Sequence, residues 1–283
     1  MMRVAVAATE RDKVNPHHAH RLVSFVECLS ATIIVNLMCS LVATANPLII
    51  GSTHIWDADG QQLVITKPTH TQPGDLMLLI LHRTDDELPF AQPGWTRAAE
   101  CYKQNNDAPC YTLDDCSEVE GAVCTQFQGS HRGRDLAQVI FYRVAADNEP
   151  AEYVFNLNRD GHGEPGWAIL TSLRGVDAQD PVRDWAVRGC DSDHASVFPS
   201  VTGQKGDWLL LSQSFDDAVP ADWFQPPRGM TGIGYVSHSD EAGFLFAKQL
   251  TEDGPTGEIR TRGPGGPRCK DALISLTLKP AHP

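Results

Sequence analysis

The fold of this chain is constrained most by the shortness of its apolar segments. Between residues 62 and 278 the main apolar runs are five to nine residues long, and glycine, proline and other turn residues separate them. Runs of this length with turn residues at their ends are typical of β-strands. No window between them carries a helical stripe longer than three turns. We therefore predict strands at residues 62–66, 75–82, 137–145, 151–157, 167–173, 207–212, 243–250 and 271–278, and a further strand that opens at 93–96.

Strands at this spacing predict an all-β fold, an antiparallel β-sandwich of jelly-roll type. No linker-like stretch divides residues 46–283 and no internal repeat is visible in them, so we expect a single domain. Trp95, Trp167 and Trp208 each stand at the start of an apolar strand, where a large ring is typical of a sandwich core.

The first 45 residues have the character of a signal segment. Residues 28–45 contain no charged side chain, basic residues precede them, and they end in Ala43-Thr44-Ala45, a small-x-small pattern that signal peptidase accepts. We expect a cleaved signal peptide. An uncleaved signal-anchor helix and a buried helix are the alternatives, since 18 residues are short for a membrane span. A signal or an anchor places residues 46–283 outside the cell or at its surface.

Cysteine usage supports export independently. Six cysteines remain once residues 1–45 are set aside, and an even number in an exported chain indicates disulfides. The alternative is a zinc site, but no CxxC pair occurs. Four of the six lie in a polar stretch, residues 101–124, which we interpret as a crosslinked insertion. The six are Cys101, Cys110, Cys116, Cys124, Cys190 and Cys269, and a bridge between the last two would tie a long loop to the last strand.

The charge balance excludes one class of partner. Of 23 basic and 36 acidic residues, four and three fall within residues 1–45, which leaves residues 46–283 with a formal charge of −14. Such a surface repels phosphate backbones and anionic lipid, so we expect no nucleic acid partner. Contact with a membrane is expected only through the N-terminal segment, if that segment stays uncleaved.

No constellation of residues indicates catalysis. Ser237-His238-Ser239-Asp240 contains the three residue types of a hydrolase triad, yet neighbours in sequence cannot form one. No nucleophile elbow, phosphate loop or zinc-protease motif occurs. A pair of carboxylates could cleave a glycosidic bond, but spacing along the chain does not give their separation in space. We therefore assign no catalytic residue.

Three tryptophans are candidates for a ligand platform. Trp56, Trp185 and Trp223 lie among polar and turn residues, unlike the tryptophans that open apolar strands. An indole left exposed in such a loop can stack on a sugar ring or on a protein partner. A glycan or a surface protein is therefore the expected partner.

One segment is a candidate calcium site. Residues 156–161 match the first six positions of a calcium loop, but the twelfth position is Trp167, where a helix–loop–helix site needs a bidentate glutamate. A looser calcium site is one interpretation and a plain Asx turn is the other. Calcium is the one cofactor that the sequence suggests, and its candidate ligands are Asn156, Asn158, Asp160 and Glu164.

Several short motifs follow one another in a fixed order over residues 60–280. They are Leu63-Val64-Ile65-Thr66-Lys67-Pro68, Gln72-Pro73-Gly74-Asp75-Leu76, Pro93-Gly94-Trp95-Thr96, Phe141-Tyr142-Arg143-Val144-Ala145 with Glu149-Pro150, Leu173-Arg174-Gly175-Val176-Asp177 with Pro181-Val182, and Gly254-Pro255-Thr256-Gly257. In this order they resemble a largely uncharacterised β-sandwich module of bacterial surface and secreted proteins and of phage virion or tail proteins. The resemblance implies a fold, and the family offers no catalytic residues that could be carried over.

The residues and the resemblance predict a non-enzymatic extracellular β-sandwich that serves in adhesion, in ligand binding or as a structural part of a surface assembly. Two alternatives remain open, a glycan-cleaving jelly-roll enzyme and a structural protein of a virion or tail. Two acids facing each other across a concave sheet face would favour the enzyme. Exposed aromatic side chains without such a pair would favour binding.

Overall fold

Strands supply all of the regular secondary structure that the computed structural model describes, which confirms the all-β class. The described residues are 48–57, 62–83, 93–103, 110, 136–156, 165–189, 196–215, 219–220, 225–238, 241–261 and 271–281. They belong to one compact unit, residues 45–282. The predicted signal or anchor segment, residues 1–45, lies outside them. Within these described ranges, no helix is long and apolar enough to cross a membrane.

The strands follow the predicted pattern closely in the interior of the sheets. The predictions at 62–66 and 271–278 are confirmed to the residue. The other six predicted strands differ from the observed ones by one to three residues at each end. The strands are β1 (Leu48–Asp57), β2 (Gln62–Thr66), β3 (Leu76–Arg83), β4 (Thr96–Lys103), β5 (Leu136–Val144), β6 (Glu152–Asn156), β7 (Gly166–Arg174), β8 (Val182–Gly189), β9 (Val197–Phe198), β10 (Thr202–Gly203), β11 (Trp208–Phe215), β12 (Thr231–His238), β13 (Glu241–Gln249), β14 (Gly254–Pro255), β15 (Ile259–Arg260) and β16 (Asp271–Leu278).

Two five-stranded sheets form the centre of the molecule. Sheet one has the strand order β1-β7-β3-β5-β4, and sheet two has the order β8-β16-β11-β13-β12. Every strand pairing in the two sheets is antiparallel. The described structure is completed by three two-stranded pairs, β2 with β6, β9 with β15 and β10 with β14.

The two sheets are built on one plan, so the chain carries an internal duplication. Half one consists of strands β1–β7 and half two of strands β8–β16. When β1, β3, β4, β5 and β7 are matched with β8, β11, β12, β13 and β16, the strand order of the two sheets is identical. The register matches too, since Leu76 of β3 lies opposite Val144 and Trp208 of β11 lies opposite Gln249. The expectation that the chain has no internal repeat is therefore wrong.

Irregularities of the sheets recur at matching positions in the two halves. The register of β4 against β5 shifts between Arg97 and Ala99, and that of β12 against β13 shifts between Gly232 and Gly234. A bulge inserts an extra residue at one defined place in a strand pair and is a specific feature of a fold. Its recurrence at corresponding positions therefore supports a duplicated module.

The turn before each central strand recurs as well. The Asp75 carboxylate accepts a hydrogen bond from the backbone N–H of Gln72 at 2.7 Å, and the Asp207 carboxylate accepts one from that of Gln204 at 2.7 Å. The glycine before each aspartate has a positive φ, 87° in half one and 96° in half two, which side chains with a Cβ rarely adopt. The two halves thus share local geometry as well as topology.

The described residues form three hydrophobic cores, one shared and one in each half. The inner faces of the two sheets share a core that contains Ile80 of half one and Leu210 of half two. The β2–β6 pair covers the outer face of sheet one with Leu63 and Phe155. Phe198 of β9 packs on the outer face of sheet two. Because successive side chains of a strand point to opposite faces, the central strands are buried on both sides and their sequences are almost continuously apolar.

The tryptophans predicted for the core occupy it to different degrees. Trp167 is fully buried on the inner face of sheet one, and Trp95 is 8% exposed in the outer core of half one. Trp208 is half-buried at the start of β11 and packs against the shared core. The core prediction is therefore confirmed for Trp95 and Trp167, and holds in part for Trp208.

Two of the six cysteines predicted to form disulfides are bonded to each other among the described residues, Cys101 and Cys110, a pairing that the sequence left open. Cys101 lies inside β4 and is fully buried, so the first residue of the predicted polar insertion belongs to sheet one. The other predicted disulfide residues, Cys116, Cys124, Cys190 and Cys269, lie outside the described residues.

Replacing Cys110 with serine is expected to lower the free energy of unfolding by about 2–3 kcal/mol, because a bridge that closes a short loop restricts the unfolded chain. Urea denaturation of the oxidised wild type and of Cys110→Ser measures the difference. In the presence of a reductant the two proteins should unfold at the same urea concentration. Equal midpoints without reductant would show that the bridge between Cys101 and Cys110 contributes no stability.

Glu149 connects the turn after β5 to the strands on either side of it. Its carboxylate accepts hydrogen bonds from the Tyr153 hydroxyl at 2.6 Å and the Ala146 backbone N–H at 2.8 Å, and it pairs with Arg143 at 2.9 Å. Burial raises the pKa of the Glu149 carboxyl, but the hydrogen bonds and the Arg143 charge outweigh it and hold this pKa below its ordinary value. Burial and the bond to Glu149 together raise the pKa of the Tyr153 hydroxyl.

This network should make the fold sensitive to acid. A carboxyl whose pKa is lower in the folded state contributes stability above its unfolded pKa of about 4.3, and the contribution is lost as the pH falls through the folded pKa. The wild type should therefore be more stable than Glu149→Gln at neutral pH, and the difference should shrink as the pH falls below about 4. Urea denaturation at a series of pH values measures the difference in the free energy of unfolding between the two proteins. Glu252→Gln is the control, because Glu252 is exposed in the matching turn of half two. A difference between the wild type and Glu149→Gln that stays constant with pH would contradict the prediction.

Candidate functional site

The two sheets meet along two seams that the duplication relates to each other. At one seam the edge strand β1 of sheet one lies beside the edge strand β12 of sheet two, and at the other seam β4 lies beside β8. Because β1 corresponds to β8 and β12 to β4, each seam is the counterpart of the other. The residues at the two seams can therefore be compared position by position.

An aromatic pair closes the seam between β1 and β12. The indole of Trp56 and the imidazole of His238 stack with their ring centroids 3.4 Å apart and their planes 14° from parallel. Trp56 is half-buried and packs against the shared core, whereas His238 is exposed. The stack is a contact between half one and half two, and the imidazole of His238 is its surface-exposed member.

An ionisable pair lies buried next to these rings. Trp167, the partner of Trp56 across β1 and β7, stacks on His82 with the ring centroids 5.0 Å apart. The His82 Nε2 atom is 3.5 Å from the Glu241 Oε1 atom, and both side chains are fully buried. Glu241 of β13 lies opposite His238 of β12 in the register of these two strands. Two ring stacks, the contact between His82 and Glu241, and two strand pairings connect five residues. We name them the seam cluster: Trp56, His82, Trp167, His238 and Glu241.

Several buried polar atoms near the seam cluster lack hydrogen-bond partners among the described residues. They include both nitrogens of His82, both carboxylate oxygens of Glu241, the Gln138 Oε1 atom and the Ser214 hydroxyl. The Gln138 Nε2 group does have one, since it donates to the Ser212 hydroxyl at 2.7 Å. Buried polar atoms are nearly always hydrogen-bonded in folded proteins. The cluster therefore offers both donors and acceptors to a polar molecule at this end of the shared core.

The second seam shows that the fold does not require these residues. Strand register assigns each member of the seam cluster a counterpart in the other half. The counterparts have no aromatic ring, no imidazole and no carboxylate. They are Gly189 for Trp56, Ser214 for His82, Ala272 for Trp167, Lys103 for His238 and Leu136 for Glu241.

Two of the three tryptophans predicted to bind a ligand are among the described residues. Trp56 belongs to the seam cluster, but it lies in β1 and not in a loop. Trp185 also lies in a strand, β8, where it is opposite Leu276, half-buried and packed against the shared core. The loop positions predicted for these two residues are therefore wrong, while a ligand-binding role for Trp185 stays a prediction. Trp223 lies outside the described residues.

The predicted calcium site falls largely outside the described residues. Asn156 ends β6 opposite Gln62, and the remaining candidate ligands Asn158, Asp160 and Glu164 are not among the described residues. In the part of the chain that the structure describes, no group of three or more histidine, cysteine, aspartate or glutamate side chains could hold a metal ion.

The sequence carried weak signals for the residues that were missed. His238 stands in the segment Ser237-His238-Ser239-Asp240, which was set aside as a catalytic triad. His82 and Arg83 are the polar residues that end an otherwise apolar strand, and the side chain of His82 points into the shared core. His82 could not be connected to Glu241 without the packing of sheet one on sheet two.

The fold and the seam cluster define the chain as an all-β protein of two duplicated halves with an aromatic and ionisable group at one junction of its sheets. Comparison with protein-family models, curated proteins and solved structures finds no match for it.

Proposed function

We propose that this chain is an extracellular or cell-surface β-sandwich protein that binds a ligand, preferentially a glycan, at the seam cluster and does not act as an enzyme. The signal-type segment at residues 1–45 supports a location outside the cell. The resemblance to a module of bacterial surface proteins and of phage virion or tail proteins supports the same location. A surface protein is the second kind of partner that the seam would fit.

The observation that carries this proposal is the difference between the two seams. Both seams have the same architecture, but among the described residues the aromatic stack and the buried ionisable pair occur at the seam between β1 and β12, and the corresponding positions of the other seam hold unlike residues. A feature that the architecture needed would be expected at both. The residues of the seam cluster are therefore better explained by a function specific to this seam.

The chemistry of the seam suits a sugar ring. His238 is exposed and lies flat against Trp56, so the two rings form an aromatic surface that extends from the shared core to the solvent. Aromatic rings pack against the apolar face of a sugar and are common at the centres of binding surfaces. The position on adjacent edge strands, and not on a loop, would keep the two rings fixed in relation to each other.

We also propose that the jelly-roll plan belongs to each half and not to the whole chain. In half one the order β1-β7-β3-β5 is combined with the separate pair β2–β6, so the chain leaves sheet one for this pair and returns twice, as between the two sheets of a jelly roll. Half two repeats this order with β8-β16-β11-β13 and the pair β9–β15. The predicted β-sandwich would then be two sandwiches that share a core.

Binding should depend on the aromatic stack. His238→Ala and Trp56→Leu are each expected to weaken binding by about tenfold or more if the stack is the centre of the site. Labelled wild-type protein is first applied to an array of immobilised bacterial, plant and animal oligosaccharides. The strongest oligosaccharide found is then titrated against each variant by isothermal calorimetry.

Trp208→Leu is the matched control, because Trp208 is also half-buried but lies at the opposite end of sheet two. It should leave the affinity unchanged while its effect on stability is comparable to that of Trp56→Leu. Equal losses of affinity in the two tryptophan variants, or a wild type that binds no oligosaccharide on the array, would refute a glycan site at this seam.

A further inference from the structure

The packing of sheet one on sheet two depends on pairs of unlike residues. The indole of Trp167 in half one lies against the backbone of Gly243 in half two, where an added Cβ would overlap the ring. A Cβ at Gly234 would come within 2.8 Å of Ile169. Large side chains of half one thus fill spaces that glycines leave in half two.

Comparison of the two halves shows that this fit is asymmetric, because the residues of one half could not take the places of their counterparts in the other. Strand register makes Ala272 the counterpart of Trp167 and Gln138 the counterpart of Gly243. A second copy of half one in the place of half two would put Gln138 where the indole of Trp167 needs a glycine. A second copy of half two in the place of half one would put Ala272 where the indole is, and leave a cavity.

The buried polar contacts between the halves are asymmetric in the same way, because each needs one residue of half one and one of half two. Gln138 of half one donates to Ser212 of half two at 2.7 Å, and His82 of half one lies 3.5 Å from Glu241 of half two. In a pair of two half-one modules both partners would be apolar, and a buried polar group without a partner is costly. The replacements would be Ile80 for Ser212 and Leu136 for Glu241.

We infer that the inner faces of the two sheets are a recognition surface between two modules, in which half one selects a copy of half two and discriminates against a copy of itself. The attractive elements are the indole of Trp167 in the space over Gly243 and the two polar contacts. The repulsive elements are the clash or the unpaired buried groups that each self-pair would contain. Specificity of association generally needs both kinds of element.

The proposal is tested by cleaving the segment of the full chain that connects half one to half two. A protease site is inserted between Ala178 and Gln179, which are exposed, and the protein is cleaved in the presence of a reductant so that no disulfide joins the halves. Native mass spectrometry then distinguishes the mixed pair from the two self-pairs, because the halves differ in mass. We expect the mixed pair alone, both directly after cleavage and after unfolding in urea and dilution. Halves that separate after the cut, or that return as a mixture with self-pairs, would overturn the inference.

Variants of the cleaved protein test the role of the glycines. Gly243→Ala should weaken the association of the halves by about tenfold or more, because the added methyl group overlaps a rigid ring. Replacing Trp167 with leucine in that variant should restore part of the affinity. Gly51→Ala is the control, since its Cβ would make only an ordinary contact at 3.6 Å with Pro68.

A second glycine keeps the test decisive if Gly243→Ala fails to fold. Gly234→Ala is a smaller intrusion and should weaken association less, and Ile169→Ala should compensate for part of it because it removes the Cγ2 atom that the new methyl group meets. Association that is no weaker in either glycine variant than in Gly51→Ala would show that the glycines do not specify the pairing.

Discussion

Replacing Trp167 with alanine is expected to lower the free energy of unfolding by about 3–5 kcal/mol. Trp167 is fully buried on the inner face of sheet one, and its ring contacts His82 of its own sheet and the backbone of Gly243 in the other. Truncation would leave a cavity in the core that both halves share. Such a cavity costs stability beyond the lost transfer free energy, because the surrounding structure relaxes only in part.

Urea denaturation at neutral pH measures this effect. The matched control is Trp208→Ala, because Trp208 is only half-buried and lies at the other end of the shared core. Its loss of stability should be clearly smaller than that of Trp167→Ala. Equal losses in the two variants would mean that the contact of Trp167 with half two contributes little to the fold.

Replacing Glu241 with methionine is expected to cost about 3–5 kcal/mol of stability, because it leaves the fully buried His82 without its partner. Both side chains of this pair are fully buried. The loss should therefore exceed that of an exposed pair such as Arg188 with Glu258.

The double variant His82→Leu, Glu241→Met makes the test specific to the pair. Replacing both members of a buried pair with apolar residues of similar size is often neutral or stabilising. We expect the double variant to be at least as stable as the wild type while its glycan affinity changes. A double variant as unstable as Glu241→Met would show that these positions are needed for packing, and that the pair is not retained for function.

In the two five-stranded sheets the interior strands could be predicted from the sequence, whereas three of the four edge strands could not. β3, β5, β7, β11, β13 and β16 are buried on both faces, so their apolar runs stand out from the turns around them. β1, β8 and β12 are edge strands and were not predicted. Most side chains of these edge strands are only partly buried, so polar residues and glycines interrupt the apolar pattern.

The same physical cause explains the misplaced tryptophans. Trp56 and Trp185 lie in the edge strands β1 and β8, where polar residues such as His54 and Asp184 stand close to them in sequence. Polar neighbours indicated loops in the sequence, but in an edge strand they accompany a side chain that packs inward. Sequence alone distinguishes these two arrangements only when the strand itself is recognised.

The duplication left a trace in the sequence that is too short to be noticed without the structure. The pattern Gln-x-Gly-Asp-x-x-Leu-Leu occurs at residues 72–79 and again at residues 204–211. It covers the turn and the first part of the central strand in each half, where backbone geometry and burial on both faces restrict the choice of residues. Elsewhere on the inner faces some counterparts are alike, such as Ile169 with Ile274, while others, such as Trp167 with Ala272, are unlike.

The shared core has a consequence for how a chain of this kind could grow. In stacked repeat proteins each added unit covers one face of its neighbour and offers a new face to the next, so arrays lengthen without limit. Here the inner face of each half is covered by the other half, and each outer face is covered by strands of its own half. Among the described residues, a third copy of the module would find no uncovered face on either five-stranded sheet. A larger assembly of this protein would therefore have to be joined through strand edges, loops or the outer faces of the covering strand pairs, such as the face of β2–β6 that exposes Val64 and Val154.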